Sequence, residues 1–341
     1  MHVAVVGSGP AGLSAALFLS SHGVETTVID RFSDRGFARY HSICGAGISD
    51  QAFKGLDLIR PDNILDRVER AELVFPGDVV VGMKVKGYVL DRVAFLRGLK
   101  DRCMENGCRF VTSEVRSVER RDDGFDIRTS GDTVHSDRVI GCDGAFSVVR
   151  RDLFGTRPEM IPAVEYIIDG MPEKVFRIEV GERFKGLYQW SFPAGDGISI
   201  GSGRGFSVDG YRTRGARHIP FGGVDRISYD GAYLAGDAAG MANPVSYGGL
   251  KAALTSGQEA AREIVEGRSY QRWWDRSIMS SVRFMGVRDT MLSWTDEDFK
   301  RASKAFKGCR NIYVSGLKAT LTHPGYLPMY IGCLMTFRHS W

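Results

Sequence analysis

The first thirty residues hold the pattern that most constrains what this chain can fold into. Residues 2–6 (His-Val-Ala-Val-Val) form a short apolar run, which is typical of a buried parallel strand. Residues 7–12 (Gly-Ser-Gly-Pro-Ala-Gly) follow directly and lead into a helix-forming stretch that Gly23 closes. Residues 25–30 read as a second strand that ends on an aspartate. This order of strand, glycine-rich turn, helix and strand predicts a βαβ unit, and hence an α/β fold with a Rossmann-type domain.

The glycine-rich turn is suited to a dinucleotide. Its first glycine permits a tight turn, its second lets the backbone approach a pyrophosphate, and its third lets the helix pack against the strands. The helix N-terminus then offers free N–H groups and a positive dipole end to the phosphates. An acid at the end of the second strand can bind the ribose hydroxyls. The alternative interpretation is a glycine-rich turn that binds no ligand. The residues predicted to hold the dinucleotide are Gly7, Gly9, Pro10, Ala11, Gly12, Asp30 and Arg31.

Two later segments favour FAD over NAD by resemblance. Residues 233–240 (Tyr-Leu-Ala-Gly-Asp-Ala-Ala-Gly) resemble the second flavin fingerprint of the two-domain flavoproteins, in which the Asp contacts the ribityl chain. Residues 140–150 (Ile-Gly-Cys-Asp-Gly-Ala-Phe-Ser-Val-Val-Arg) resemble their middle Asp-Gly motif. The resemblance implies that Asp143, Gly144, Gly236 and Asp237 bind FAD, although each aspartate alone is compatible with an ordinary turn. No second Gly-x-Gly-x-x-Gly followed by an acid occurs, so no separate NAD(P)H domain is expected.

Alternation and helical stretches suggest how the rest of the chain is organised. Residues 72–90 and 163–204 read as antiparallel strands, and residues 109–140 as three short strands with a turn at 122–124. Residues 91–107 read as a helix between an Asp N-cap and a Gly C-cap, and residues 238–267 as largely helical.

These elements predict three regions. A discontinuous FAD-binding domain comprises residues 1–70, 91–155 and 225–268, and an inserted antiparallel-sheet substrate domain comprises residues 71–90 and 156–224. Residues 269–341 form a C-terminal helical region that carries no recognisable motif. The arrangement resembles that of p-hydroxybenzoate hydroxylase.

Three segments narrow the class of flavoprotein. They are residues 40–49 (Tyr-His-Ser-Ile-Cys-Gly-Ala-Gly-Ile-Ser), 186–197 (Gly-Leu-Tyr-Gln-Trp-Ser-Phe-Pro-Ala-Gly-Asp-Gly) and 236–250 (Gly-Asp-Ala-Ala-Gly-Met-Ala-Asn-Pro-Val-Ser-Tyr-Gly-Gly-Leu). Together they resemble the geranylgeranyl reductase family, including the archaeal digeranylgeranylglycerophospholipid reductases, over about residues 1–265. The resemblance implies an FAD-dependent enzyme that reduces isoprenoid carbon–carbon double bonds of a lipid or prenyl substrate. In the aromatic hydroxylase relatives, histidine usually stands at the position of Gly240.

The same resemblance implies a set of site residues. Cys44 and Gly45 form a loop near the flavin, and Tyr247 stands where the family usually has glycine, which makes these three the catalytic candidates. The further candidates for FAD contacts are Arg92, Gly248, Gly249 and Leu250, beside Cys44 and Gly45. The candidates for the substrate cavity are Tyr188, Trp190, Phe192, Pro193 and His41.

The residues themselves leave alternatives open. Tyr188, Trp190 and Phe192 are two apart and share one face of a strand, which either walls a cavity or packs on a core. Cys44 either donates a proton, tunes the flavin or is a small buried hydrophobe. His41 is either a donor or structural, and Arg92 either binds FAD or lies on the surface. The pair Trp273-Trp274 either touches a membrane surface or packs on the core.

Composition excludes several other classes. The formal net charge of +4 comes from scattered residues, so no nucleic-acid partner is expected. Six cysteines without a Cys-x-x-Cys pair predict reduced thiols and no metal site. The N-terminus lacks the features of a signal peptide and no apolar run is long enough to span a bilayer, which predicts a cytoplasmic protein, with peripheral contact at the inner membrane face left open.

Three functions remain in competition at this point. The leading one is the isoprenoid reductase, whose electrons come from an external donor: reduced ferredoxin, a deazaflavin or NAD(P)H, which the sequence does not distinguish. The second is an FAD-dependent monooxygenase acting on an apolar or aromatic substrate. The third is a flavin-binding protein without turnover.

Overall fold

The structure is a computed structural model and describes residues 1–203, 205–280, 282–306, 315, 316, 319, 321 and 324–339. Its strands are β1 (His2–Val6), β2 (Glu25–Asp30), β3 (Gly47–Ser49), β4 (Ile64–Phe75), β5 (Val79–Leu90), β6 (Arg109–Thr112), β7 (Val115–Arg121), β8 (Gly124–Thr129), β9 (Thr133–Ser136), β10 (Arg138–Gly141), β11 (Glu159–Asp169), β12 (Val175–Glu179), β13 (Gln189–Ala194), β14 (Gly197–Gly203), β15 (Tyr211–Phe221), β16 (Ser228–Tyr229) and β17 (Ala232–Leu234). Its helices are α1 (Pro10–Ser21), α2 (Asp34–His41), α3 (Arg92–Glu105), α4 (Val148–Leu153), α5 (Leu250–Glu266), α6 (Tyr270–Arg276), α7 (Val282–Ser293), α8 (Asp296–Ser303) and α9 (Leu327–His339).

A six-stranded, mainly parallel sheet carries the predicted βαβ unit, in the order β16-β17-β10-β1-β2-β6. β1 lies between β2 and β10 and is parallel to both, and β17 runs parallel to β10. Four residues of β1 are fully or almost fully buried, as its continuous apolar run predicts. The carboxyl ends of β1, β10 and β17 therefore lie side by side at one edge, which brings the glycine-rich turn, the Asp-Gly motif and the Gly-Asp turn together.

An eight-stranded sheet forms the second large layer, in the order β15-β11-β14-β13-β12-β4-β5-β3. Its pairs are antiparallel, apart from the parallel pair of β12 with β4. A separate three-stranded antiparallel sheet consists of β7, β8 and β9. Helices α7, α8 and α9 contribute to a hydrophobic cluster that packs against Phe75 and Ile178 of the large sheet.

Several element predictions are confirmed. Asp91 is the N-cap of α3, and its carboxylate accepts a hydrogen bond from the Ala94 amide at 2.9 Å. α1 ends just before Gly23, whose φ of +71° suits glycine. Cys44, Cys103, Cys108, Cys142 and Cys333 are free thiols, and Cys309 lies outside the described residues.

Other predictions need correction. The antiparallel strand region predicted from residue 72 begins at Ile64, and residues 109–140 contain further strands because β6 and β10 belong to the parallel sheet. Residues 240–249 are not helical, since Pro244 and the left-handed backbone of Gly240 and Tyr247 prevent a helix before Leu250. Residues 47–49 and 64–70 pair within the large sheet although they fall in the segment assigned to the FAD-binding domain; the division into domains stays a prediction.

Candidate active site

The glycine-rich turn after β1 is shaped by close backbone packing. Gly7 has a φ of +99°, and a Cβ there would lie 2.4 Å from the Cys142 carbonyl oxygen. A Cβ at Gly12 would lie 1.9 Å from the Gly7 carbonyl oxygen. Helix α1 starts with Gly9 as N-cap and has no side-chain cap and no acid in its first turn. Its first N–H groups are therefore available to an anion.

Asp30 stabilises this turn from the end of β2. Its Oδ2 accepts hydrogen bonds from the amide and hydroxyl of Ser8 at 2.7 and 2.6 Å, and its Oδ1 accepts one from the Phe32 amide at 2.8 Å. The carboxylate also lines the large cavity described below, together with Arg31. Asp30 thus orients the turn and keeps lone pairs that face the cavity.

Three cationic or potentially cationic side chains near this turn have buried nitrogen atoms that find no hydrogen-bond partner among the described residues. They are His41 (Nδ1), Arg92 (Nε) and Arg217 (Nε and Nη2), and all three line the cavity. Burial, and then the charges of Arg92 and Arg217, lower the pKa of His41 to about 2, so this imidazole is neutral. His41 ends α2 and lies near Gly9, where a Cβ would be 3.7 Å from its Cε1. The unpaired N–H groups of the two guanidinium groups call for an anionic ligand.

The two aspartates of the flavin motifs have different partners. The Asp143 carboxylate accepts hydrogen bonds from the Ser147 hydroxyl at 2.5 Å and the Val148 amide at 2.6 Å, which stabilises the start of α4. The Asp237 carboxylate accepts no hydrogen bond from any residue that the structure describes, although Arg217 and Arg92 face it. Burial raises the pKa of both carboxyl groups. Arg150 joins the two motifs by donating to the Ala145 and Ala238 carbonyls at 2.7 Å.

A second helix N-terminus faces the same cavity. α5 begins at Leu250 with Gly249 as N-cap, and it has neither a side-chain cap nor an acid in its first turn. Gly248, Gly249 and Leu250 line the cavity. These free N–H groups are suited to the electron-rich end of a bound ring system.

Tyr247 precedes this helix in a strained backbone conformation. Its φ is +50°, which costs free energy for a side chain other than glycine. Its hydroxyl donates to the Gly186 carbonyl at 3.3 Å and accepts from Arg288 Nε at 3.2 Å. The neighbouring Tyr188 hydroxyl donates to the Ser246 carbonyl. The Tyr247 ring is thereby held in the cavity wall between the large sheet and α7.

The Cys44 loop packs on the aromatic residues of β13. A Cβ at Gly45 would lie 3.2 Å from both Trp190 Nε1 and Phe192 Cδ2. Trp190 and Phe192 share one face of the sheet and line the cavity, while Tyr188 lies just before the strand and lines it too. Pro193 is buried on the opposite face and is not part of the lining. The rings of Trp190 and Phe192 therefore pack against the Cys44 loop and also form part of the cavity wall.

One cavity of about 840 Å³ joins these features. Its cofactor end is formed by the loops after β1, β10 and β17, with the N-termini of α1 and α5. Its apolar end adjoins the C-terminal hydrophobic cluster, and the side chains shared by this cluster and the cavity are Phe75, Ile178, Val180, Val245, Met291, Trp294, Phe299, Ala302, Met329, Tyr330 and Cys333. Tyr188 belongs to both the cluster and the aromatic face of β13. The cavity therefore runs from a polar site into an apolar compartment.

Most of the residues predicted for the site meet in this cavity. Gly12, Gly236 and Pro193 do not line it: the two glycines allow close packing around α1, where Cβ atoms would strike Gly7 and Ala11. Arg217, Glu165 and the aromatic residues of the apolar end line the cavity but were not predicted. The signal for Glu165 was a charge inside an apolar strand, in residues 163–168 (Ala-Val-Glu-Tyr-Ile-Ile), whereas Arg217 lies in a polar segment that gave no such signal.

The site fits FAD on these observations. The two uncapped helix N-termini and the donors of Arg92 and Arg217 that lack partners among the described residues are suited to phosphates. The Asp237 carboxylate, which no described residue engages in a hydrogen bond, is a suitable acceptor for hydroxyl groups. Residues 1–41 match the family model of an FAD binding domain, and residues 46–219 match that of an FAD dependent oxidoreductase. The protein is therefore an FAD-dependent oxidoreductase with a Rossmann-type flavoprotein fold.

Comparison with known proteins narrows the class. The chain is 32% identical to digeranylgeranylglycerophospholipid reductase 1 of Methanopyrus kandleri, over 91% of this chain and 95% of that protein. It is 27% identical to the chloroplastic geranylgeranyl diphosphate reductase of Nicotiana tabacum, over 84% and 74% of the two chains. The chain belongs to the geranylgeranyl reductase family.

A solved structure agrees with this assignment at the level of the fold. The geranylgeranyl bacteriochlorophyll reductase-like protein from Thermoplasma acidophilum superposes with a TM-score of 0.77 at 20% identity, covering 95% of this chain and 96% of that one.

Among the described residues, no helix is long and apolar enough to cross a membrane. In the same part of the chain, no cluster of histidine, cysteine and acidic side chains could hold a metal. Trp274 packs on the core, since a Cβ at Gly223 would lie 2.5 Å from its ring, which favours the packing interpretation of the Trp273-Trp274 pair.

Proposed function

We propose that this protein reduces isolated carbon–carbon double bonds in the prenyl chain of a lipid or of a free prenyl compound, with FAD as the hydride carrier. The observation that carries the proposal is the single cavity that joins the cofactor end to an apolar compartment. The names of the relatives from Methanopyrus kandleri and Nicotiana tabacum, which are reductases of geranylgeranyl compounds, support the same chemistry.

The apolar end has the properties that a prenyl chain requires. Such a chain is uncharged and offers few hydrogen bonds, so its affinity must come from apolar burial, at about 25 cal/mol per Å². Aromatic and aliphatic side chains from β13, α7, α8 and α9 supply that surface. Flat aromatic walls also let a chain slide, which brings successive double bonds to the same reaction centre.

The proposed roles of the chain's residues divide between cofactor and substrate. The residues that would hold FAD are Gly7, Gly9, Pro10, Ala11, Asp30, Arg31, Arg92, Gly144, Asp237, Gly248, Gly249 and Leu250, with Cys44, Gly45 and Tyr247 beside its reactive ring. Asp143 would support this site through its hydrogen bonds to the start of α4. Bound FAD, once reduced, supplies the hydride. The cavity walls exclude water and orient the alkene, and no separate NAD(P)H domain is expected, so electrons would come from an external donor such as reduced ferredoxin, a deazaflavin or NAD(P)H.

The test replaces aromatic side chains at different depths of the cavity. Trp190 contacts the Cys44 loop, whereas Trp294 lies in the apolar end against Phe299 and Tyr326 at ring distances of 5.1 and 5.2 Å. Trp190→Ala should weaken binding of a long polyprenyl substrate by about 1–3 kcal/mol, as expected for a lost aromatic anchor. Trp294→Ala should do so for long chains only, because a short chain does not reach it.

The measurement is reduction of short and long prenyl substrates under a chemical reductant, with retained FAD verified by its absorption spectrum. Trp273→Ala is the control, since this ring stacks on Tyr270 at 5.5 Å outside the cavity. Wild-type behaviour of both cavity variants at every chain length contradicts the proposal. Rapid NAD(P)H oxidation with oxygen uptake would instead identify a monooxygenase, and failure of the bound flavin to be reoxidised by any acceptor would identify a flavin-binding protein without turnover.

A further inference from the structure

A buried glutamate faces the cavity from β11, the strand next to one edge of the large sheet. Glu165 is only 5% exposed and lies in an apolar stretch of β11, yet its side chain lines the cavity. A charged group in such a place is costly unless hydrogen bonds and opposite charges compensate it. This carboxyl is not among the groups proposed above to bind FAD or the prenyl chain.

Glycines on both sides make room around the carboxyl. Across the sheet, Trp190, Gly201, Glu165 and Gly215 are direct neighbours on β13, β14, β11 and β15. A Cβ at Gly201 would lie 2.1 Å from the Trp190 ring, and one at Gly215 would lie 2.4 Å from Ile43. The Trp190 ring therefore covers one neighbour of Glu165, and the loop that carries Cys44 covers the other.

A hydrogen-bonded chain connects Glu165 to this aromatic face. The Ser199 hydroxyl donates to Glu165 Oε1 at 2.6 Å, and Trp190 Nε1 approaches the same hydroxyl at 3.2 Å as donor. Trp190 in turn packs against Gly45. The Glu165 carboxyl is thus connected to the Cys44 loop through Ser199 and Trp190.

The charges that face Glu165 come from two elements. They are the Arg217 guanidinium on β15 and the Arg92 guanidinium on α3, and the Cys44 backbone amide adds a dipole from the loop. The nearby His41 is neutral, and Asp237 faces the same two arginines from the turn after β17. Burial raises the pKa of Glu165 to about 7, against the opposing effects of the Ser199 hydrogen bond and the two arginines. A carboxyl of this kind can both release and regain a proton near neutrality.

We propose that Glu165 is the general acid of alkene reduction and delivers to the substrate the proton that accompanies the hydride. The inference rests on the proposed function. The Glu165 O–H bond breaks as a C–H bond forms at the less substituted alkene carbon, and the tertiary carbon takes the hydride supplied by reduced FAD. The alkene gains two electrons and the flavin loses them, while the Glu165 carboxylate is stabilised by Ser199 and the two arginines until solvent reprotonates it. Positive charge on the tertiary carbon would be stabilised by the faces of Trp190 and Phe192.

The test compares Glu165→Gln, which keeps the shape and a hydrogen bond to Ser199, with Glu165→Asp, which keeps the acid. The holoenzyme is reduced chemically, and single-turnover oxidation of the flavin by a prenyl substrate is followed against pH. Wild type should slow as pH rises through about 7. Glu165→Gln should react about 10²-fold or more slowly, without that pH dependence, and Glu165→Asp should recover part of the rate.

A second readout is independent of turnover. The infrared C=O band of a protonated carboxyl should titrate near pH 7 in the oxidised holoenzyme and should be missing in Glu165→Gln. Glu72→Gln is the control, since Glu72 is a buried glutamate of the same sheet that pairs with Arg177 at 2.8 Å outside the cavity.

The outcomes separate the two proposals. A Glu165→Gln enzyme with the wild-type rate and pH profile overturns the inference, as does an infrared band that persists in this variant. A wild type that reduces no prenyl chain overturns the proposed function itself, and the role of Glu165 with it.

Discussion

Asp143 and Asp237 follow neighbouring parallel strands, but their carboxylates have different partners. Asp143 is engaged by Ser147 and by the first amides of α4, whereas Asp237 has no hydrogen-bond donor among the described residues. We expect Asp237→Ala to weaken FAD binding about tenfold or more, because a charge-assisted hydrogen bond to the cofactor is lost. Asp143→Ala should instead lower the free energy of unfolding by about 1–2 kcal/mol, as for a lost helix cap.

Fluorescence titration with FAD and chemical denaturation of both variants measure the two effects. Unchanged FAD affinity in a folded Asp237→Ala protein would show that this carboxylate does not contact the cofactor.

Among the helices, the packing of α1 against α5 positions the glycine-rich turn and the N-terminus of α1. A Cβ at Gly257 would lie 2.1 Å from the Ala11 carbonyl oxygen, so the two helices approach through this glycine. Gly257→Ala should destabilise the fold by about 1–3 kcal/mol through overpacking and also weaken FAD binding, because Ala11 belongs to the first turn of α1.

A second helical glycine gives the matched control. Gly286 lies in α7, and a Cβ there meets nothing within 4 Å. Gly286→Ala should raise the free energy of unfolding by about 0.5–1 kcal/mol, since alanine is the better helix former. Denaturant unfolding of the two variants decides the question, and equal effects at both positions would refute the close helix contact.

At the scale of the whole molecule, two buried groups make stability depend on pH in opposite directions. The folded-state pKa of Glu165 is raised to about 7, so its contribution is greatest below the unfolded pKa and is lost as pH rises toward 7. The folded-state pKa of His41 is lowered to about 2, so the unfolded chain takes up a proton below its usual pKa of 6.5 and stability falls as pH falls from there.

The His41 effect can be isolated. Between pH 7 and pH 5, the FAD-free wild type should lose about 2 kcal/mol relative to His41→Gln, which has no imidazole to protonate. Urea unfolding of both proteins across this range gives the difference. A constant difference between them would mean that His41 is not buried as a neutral group.

The cavity is built from segments that come from the whole length of the described chain. Its cofactor end lies where three parallel strands finish, and its apolar end is closed by α7, α8 and α9, which are distant in sequence. The C-terminal helices carried no motif, and their part in the site follows only from packing against the large sheet.

Local sequence determined the βαβ unit, because glycine spacing, an apolar strand and a terminal acid each act on their immediate neighbours. The ordered motifs around Asp143 and Asp237 likewise predicted that these residues meet, since parallel strands bring their carboxyl ends to one edge. Tertiary structure decided that the Asp143 carboxylate is engaged by α4, which face of β13 borders the cavity, and that Glu165 and Arg217 line it. These properties depend on the register of strands that are far apart in sequence. Whether a charged residue within an apolar strand lines a cavity is decided by the strands that pair with it.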